Sequence, residues 1–307
     1  MNRRTFIRSS AALAACITLL VLAGTEFGLA AAESTTIADL SLTLVPLQPG
    51  TFTLGNIHAK EGSDEYPPTR VTLAKAAWLG ATEVTVGQWR RFTDSTGYRT
   101  EAETNHGMFV WIGGPTRFEK RAGLSWRDPG YPQDDTYPVA GISWHDAQKF
   151  CAWLTAREKA AGRLPEGYGY TLPTEAQWEY ACRAGDTGPD MEKAPGDYAW
   201  FAGNSDGHAH PVATKRANAL GFYDMIGNAW EWCLDWYGKY PGGESTDPKG
   251  PASATAKEII RPIRENRGNG WNSAGPGHGT SPTNRWSSPD LDLRNNLGFR
   301  VALSPAQ

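Results

Sequence analysis

From Leu42 onward the chain alternates apolar and polar positions, with Leu42 and Leu44, then Phe52 and Leu54, separated by Pro49-Gly50. A period of two around a Pro-Gly pair reads as two strands joined by a turn. Three helix starts follow, each with an oxygen-bearing cap. Thr85 precedes Val86–Phe92, Ser143 precedes Trp144–Lys159, and Thr174 precedes Glu175–Arg183. Asp146 and Gln177 sit where a capping box needs its second member. In the second helix Ala147, Phe150, Trp153 and Leu154 share a face, which places that helix on a core. Ala184-Gly185 ends the third. Elsewhere the pattern is short strands and long turns. Residues 101–136 contain Gly113-Gly114-Pro115 and Asp128-Pro129-Gly130, a loop region suited to recognition.

The first 32 residues have a different pattern. Arg3-Arg4 with Phe6, Ile7 and Arg8 is followed by an apolar run from Ala11 to Gly24 and by Ala30-Ala31-Ala32. This resembles a twin-arginine export signal ending at a signal-peptidase site. The run of about fourteen residues is short of the roughly 18–20 that span a bilayer, so no stable span is expected after cleavage. A lipid anchor at Leu13-Ala14-Ala15-Cys16 fits less well, because the apolar region continues beyond Cys16. The expected destination is the periplasm, or the outside of the cell. Residues 33–41, rich in Ser and Thr, read as a short leader, and residues 42–304 as one domain without repeats or linkers.

Composition narrows the class. The chain has 307 residues, 30 basic against 33 acidic, and a pI near 6.1. Without residues 1–32 the count is 27 basic and 32 acidic, since Arg3, Arg4, Arg8 and Glu26 leave. A nucleic-acid-binding face is excluded by that sign and by the lack of a Lys/Arg run. Thirteen Trp, 34 Gly and 21 Pro point to a tight core joined by many turns, and exclude a helical bundle. Cys151, Cys182 and Cys233 remain, an odd number with no Cys-x-x-Cys. Three readings stand open: small buried hydrophobes, a Cys182–Cys233 disulfide, or a reactive thiol.

Four segments carry a family resemblance. They are Tyr137-Pro-Val-Ala-Gly-Ile-Ser-Trp-His-Asp-Ala147, Leu172-Pro-Thr-Glu-Ala-Gln-Trp-Glu-Tyr-Ala-Cys-Arg-Ala-Gly185, Gly221-Phe-Tyr-Asp-Met-Ile-Gly-Asn-Ala-Trp-Glu-Trp232 and Asn296-Leu-Gly-Phe-Arg-Val301. With Pro49–Gly55, Glu65-Tyr-Pro67 and Glu83-Val-Thr85, they resemble the formylglycine-generating enzyme (sulfatase-modifying factor) family, which includes PvdO. The resemblance spans residues 42–303. It implies an α+β fold, a single domain related to the C-type lectin fold and rich in irregular structure.

The resemblance also implies chemistry that this chain only partly retains. Family oxidases hold copper through two C-terminal cysteines five residues apart. Here that segment reads Arg267-Gly-Asn-Gly-Trp-Asn-Ser-Ala-Gly-Pro-Gly-His278, which puts Ser273 at the first position and His278 at or near the second. A hydroxyl and an imidazole are poor copper(I) ligands, so a copper-thiolate oxidase is not expected, and a redox metal (Cu or Fe) lacks a ligand set. Ser273 and His278 remain as a nucleophile–base candidate. Trp271, Asn272 and Trp286 are the candidate substrate groove. The family's calcium turn maps to the Asp224 and Glu231 carboxylates with the Gly227 and Ala229 carbonyls. Its rival reading has the two acids capping turns and pairing with an Arg such as Arg300. A second cation site would use Asn204 and the Ser205 carbonyl, with Asp206 its only nearby acid. His208 and His210 could ligate a metal or simply form a turn. Two functions stay open: an oxidoreductase-type maturation factor for a peptide or peptide-derived substrate, and a non-catalytic, calcium-stabilised binding module.

Overall fold

A computed structural model describes residues 33–105, 107–114, 117–184, 194–253, 262–275 and 280–306. The export signal, His106 and His278 lie outside the described residues. The chain opens with strands β1 (Thr35–Ile37), β2 (Leu42–Leu47), β3 (Gly50–Leu54), β4 (Thr69–Leu73) and β5 (Ala77–Gly80). Helices α1 (Val86–Thr96) and α2 (Glu101–Thr104) precede the hairpin β6 (Met108–Trp111) and β7 (Phe118–Arg121). Then come α3 (Trp144–Ala160), β8 (Tyr168–Thr171), α4 (Glu175–Cys182), α5 (Pro195–Tyr198) and β9 (Trp230–Trp236). The last strands are β10 (Glu244–Thr246), β11 (Ile263–Arg267), β12 (Arg285–Pro289), β13 (Leu297–Gly298) and β14 (Ala302–Pro305).

Three of the helices begin where their caps were read. Thr85, Ser143 and Thr174 each close a full capping box, with Gln88, Asp146 and Gln177 bonding back to the cap. Ala147, Phe150 and Leu154 are buried and Trp153 is half-buried, as the spacing predicts. The strands divide into sheets in the orders β1-β2-β5-β14-β8, β10-β4-β3, β12-β11-β9-β13 and β6-β7. β2 and β3, adjacent in sequence, therefore belong to different sheets.

Residues 33–41 are not a free leader. Thr35–Ile37 pair antiparallel with Leu42–Leu44 at the edge of the five-stranded sheet, and Ile37 and Leu40 enter the core. Apolar positions 37 and 40 gain burial there, which outweighs a Ser/Thr-rich composition. The 101–136 region likewise carries a helical turn and a hairpin.

One apolar cluster packs α1 and α3 on the five-stranded sheet, with Trp89 stacked on Phe150 at 5.7 Å and Phe299 edge-on to both. A second gathers Trp178 and Cys182 of α4 with Phe222, Ile226 and Cys233. Together they clamp α4 and β9, from which the site is built. No helix among the described residues is long and apolar enough to cross a membrane.

Candidate functional site

Two turns meet at the centre of the site. In the first, Asp224, Gly227 and Asn228 all have positive φ, a left-handed path that Gly and Asn tolerate best. At Gly227 a Cβ would lie 2.1 Å from the Trp200 carbonyl oxygen, so only glycine fits. The second turn, residues 268–273, docks on it: Gly227 N donates to Gly268 O at 2.7 Å, and Trp271 N to Asn228 O at 2.8 Å.

The acids of the first turn have unequal surroundings. Glu231 accepts both Arg300 Nε and Nη2 at 2.6 Å and Trp178 Nε1 at 2.8 Å. The Arg300 pairing weighed in the sequence thus holds for Glu231, whose oxygens are engaged by three donors. Asp224 Oδ2 caps Ala213 N at 2.7 Å, while Oδ1 is buried without a partner. Glu83 also faces this group, with both oxygens buried and unpartnered. Burial, then the neighbouring Asp224 and Glu231 charges, push Glu83 well above the usual carboxylate range. Burial raises Asp224 to about 6. Three carboxyls face one guanidinium, and the unpartnered Asp224 Oδ1 suits a hard cation. That oxygen fits calcium better than Glu231 does; among the described residues no ready-made cluster of three His, Cys, Asp or Glu ligands is formed.

Two of the three expected groove residues are buried. Trp271 is 1% exposed, packed edge-on to Trp111 and Tyr131. Asn272 is buried and accepts from Asn296 Nδ2 at 2.7 Å. Only Trp286 offers an open ring, 44% exposed and tilted against Trp230. Ser273 Oγ accepts from Gly270 N at 3.0 Å, and its carbonyl from Ala202 N, so it braces the turn. Its pairing with His278 falls outside the described residues.

Nor do the second-site residues form a cation cage. Asn204 Oδ1 caps Phe201 N and its Nδ2 binds Ala199 O. The Ser205 carbonyl meets His210 Nε2 at 2.9 Å, and His210 lies flat on Trp200 at 3.7 Å. His208 stacks on His210. Burial holds His210 below its ordinary pKa, and its ring engages the Ser205 carbonyl that the second cation site would use.

Cys151, Cys182 and Cys233 are free and fully buried, which removes the disulfide reading. Burial raises all three thiols, far from the thiolate character a reactive cysteine needs.

A buried charge layer behind β9 was not read from the sequence. Arg285 holds Glu175 through Nε at 2.6 Å and Nη2 at 2.9 Å, and Glu265 through Nη2 at 2.9 Å. Arg267 pairs with Glu179, and Tyr240 donates to Glu175 at 2.8 Å. The available signal was the period-two Glu265 and Arg267 in β11, charges on a strand bounded by Trp-rich neighbours.

The sequence matches the Sulfatase-modifying factor enzyme 1-like domain over residues 31–305. It is 31% identical to a formylglycine-generating enzyme of Bos taurus over 247 residues, 68% of this chain and 62% of that protein. The chain thus spans less than two thirds of that relative. It is 27% identical over 303 residues to an inactive C-alpha-formylglycine-generating enzyme 2 of Bos taurus, 85% of this chain and 88% of that one. The fold superimposes on PvdO from Pseudomonas aeruginosa with a TM-score of 0.67 and 29% identity, over 88% of this chain and 97% of that one. It is the α+β, C-type-lectin-like fold expected from the motifs.

Proposed function

Since the chain belongs to the sulfatase-modifying factor family, its domain matched over residues 31–305, we propose that it is an exported, PvdO-like maturation factor acting on a peptide or peptide-derived substrate. It does not generate formylglycine by copper-thiolate chemistry. One observation supports the reading: every described thiol is free and buried, and Ser273, which the family resemblance aligns with the first copper-binding cysteine, spends its hydroxyl on Gly270 N. A copper or iron centre does not fit this donor set. The purified protein, incubated with a cysteine-containing sulfatase peptide with and without copper, should leave the cysteine unchanged by mass spectrometry. Appearance of the aldehyde refutes it.

A second reading, a non-catalytic binding module, is favoured by the way Asn272 and Ser273 spend their polar atoms on the turn itself. On that reading Trp286 with Trp230 is the contact surface, since exposed aromatic area is effective in recognition. Covalent change in a peptide incubated with the folded protein would decide for the maturation factor, and binding without change for the module.

Calcium on Asp224 Oδ1 with the Gly227 and Ala229 carbonyls is part of the proposal, as a structural ion. So is periplasmic export. Arg3-Arg4→Lys-Lys should keep the protein inside the cell, because Lys lacks the planar fork of the guanidinium; undiminished export would refute the twin-arginine route.

A further inference from the structure

A cavity of about 260 Å³ lies between the start of α4, the end of β9 and the loop after β10. Trp236, Tyr240, Pro241, Pro248 and Pro251 form apolar parts of its wall. Lys239, Lys249, Pro241 and Gly250, which also line it, are exposed, so it opens to solvent. We propose that this cavity binds an alkylammonium group, with the Asp235 carboxylate as its counter-ion.

Asp235 is 3% exposed. Its Oδ2 accepts from Glu175 N at 2.9 Å, and its Oδ1 accepts no hydrogen bond from any described residue. Gly250 leaves that oxygen uncovered: an ideal Cβ there would lie 3.1 Å from Oδ1 and 2.9 Å from the Asp235 Cβ. Oδ1 thus keeps free lone pairs towards the cavity, and a bound donor bearing positive charge makes a charge-assisted hydrogen bond there.

The surrounding charges leave room for a cation. Asp235 is faced by Glu175 from α4, Glu265 from β11 and Arg285 from β12. Arg285 is committed to the two glutamates and, through Nη1, to the Asp64 and Gly238 carbonyls. Arg264 lies between the Trp144 and Trp236 rings, bonded to Leu234 O. Neither arginine reaches Oδ1. Glu265 Oε1 is buried and unpartnered. An ammonium supplies the donor that Asp235 Oδ1 lacks. The apolar walls accept its alkyl stem, while the two exposed lysines keep their own charge towards water.

Burial, followed by the Glu175 charge, raises Asp235 to about 7. An ammonium needs the ionised form, so its binding should strengthen as pH rises through neutrality. A carboxylate ligand hydrogen-bonded to the protonated acid would behave oppositely. The test is n-butylammonium binding to the intact protein, by calorimetry or amide chemical shifts at about pH 5.5 and about pH 8.5. We expect affinity roughly thirtyfold higher at the upper pH. Asp235→Asn should abolish binding and its pH dependence. Lys249→Ala should leave it unchanged or stronger. An acetyl-lysine-amide probe binding more tightly than n-butylammonium would place the ammonium on a peptide side chain, and the reverse on a free amine; both support the site. Acetate binding in its place, tighter binding at acid pH, no binding by either amine, or full affinity in a folded Asp235→Asn protein would each overturn the proposal.

Discussion

Trp271 is enclosed by Trp111 and Tyr131, with ring centroids at 5.3 and 6.0 Å. In sequence it stands alone in a Gly- and Asn-rich loop, where no periodicity reports which way a ring faces. What buries it is the docking of residues 268–273 on the 224–229 turn, a contact between distant segments. Trp286 sits on β12 between buried Arg285 and half-buried Ser287, and it remains open. Of the two tryptophans expected to be exposed as contact surface, Trp286 is open and Trp271 is buried. Trp271→Ala should cost about 3–5 kcal/mol in urea unfolding, as for other buried aromatics cut to Ala, whereas Trp286→Ala should fall within about 0.5 kcal/mol of the parent. Peptide or small-ligand binding should follow Trp286. A Trp271→Ala protein with parental stability would show that the ring is not held in the core. For the cysteines, legibility stopped at the odd count, since burial of thiols depends on the packing of α3, α4 and β9.

Capped helices were legible because their signals are local: a hydroxyl, an acid or amide three residues on, then an apolar face. The leader strand and the separation of β2 from β3 were not, because sheet partners are set by tertiary contacts. The 224–231 turn lies between these cases. Its motif gave the ligand candidates, yet the engagement of Glu231 by Arg300 and the presence of Glu83 come from elsewhere in the chain. This changes which variant tests calcium. Glu231→Gln breaks a buried ion pair and should cost several kcal/mol, about 3–5, whether or not calcium binds. Asp224→Asn leaves that pair intact. Calcium at a hundredfold excess over its Kd should add about 2.7 kcal/mol to the folded state, and chelation should lower the Tm accordingly. In Asp224→Asn the melting curves with calcium and with chelator should coincide. A parental protein indifferent to chelator would remove calcium from this turn.

Across the whole molecule, the apolar clusters and the family motifs made the architecture readable, while the charge layer behind β9 stayed hidden. Glu175, Glu179 and Arg183 have the i, i+4 spacing of a solvated helix face, but α4 is buried on both sides by β9 and β11, and the acids turn to Arg267 and Arg285. Such a layer ties folding to pH. Asp235 is raised from 3.8 to about 7, first by burial and then by Glu175. The folded state therefore holds its proton where the unfolded chain has released it. For this group stability is fully present below about pH 4 and is lost as pH climbs through about 7, because the native state binds more protons across that window. The loss is on the order of 2–4 kcal/mol, the shift converted at about 1.4 kcal/mol per unit. Asp235→Asn, neutral at every pH, should remove it. Urea unfolding at about pH 5 and about pH 7.5 in chelator should then show the parent losing more stability between the two than the Asn variant does. An alkylammonium that binds at Asp235 should restore the parent, but not the variant, at the higher pH. Equal losses in both proteins would mean that Asp235 is ionised in the fold from the start, paired by a cation already within the layer.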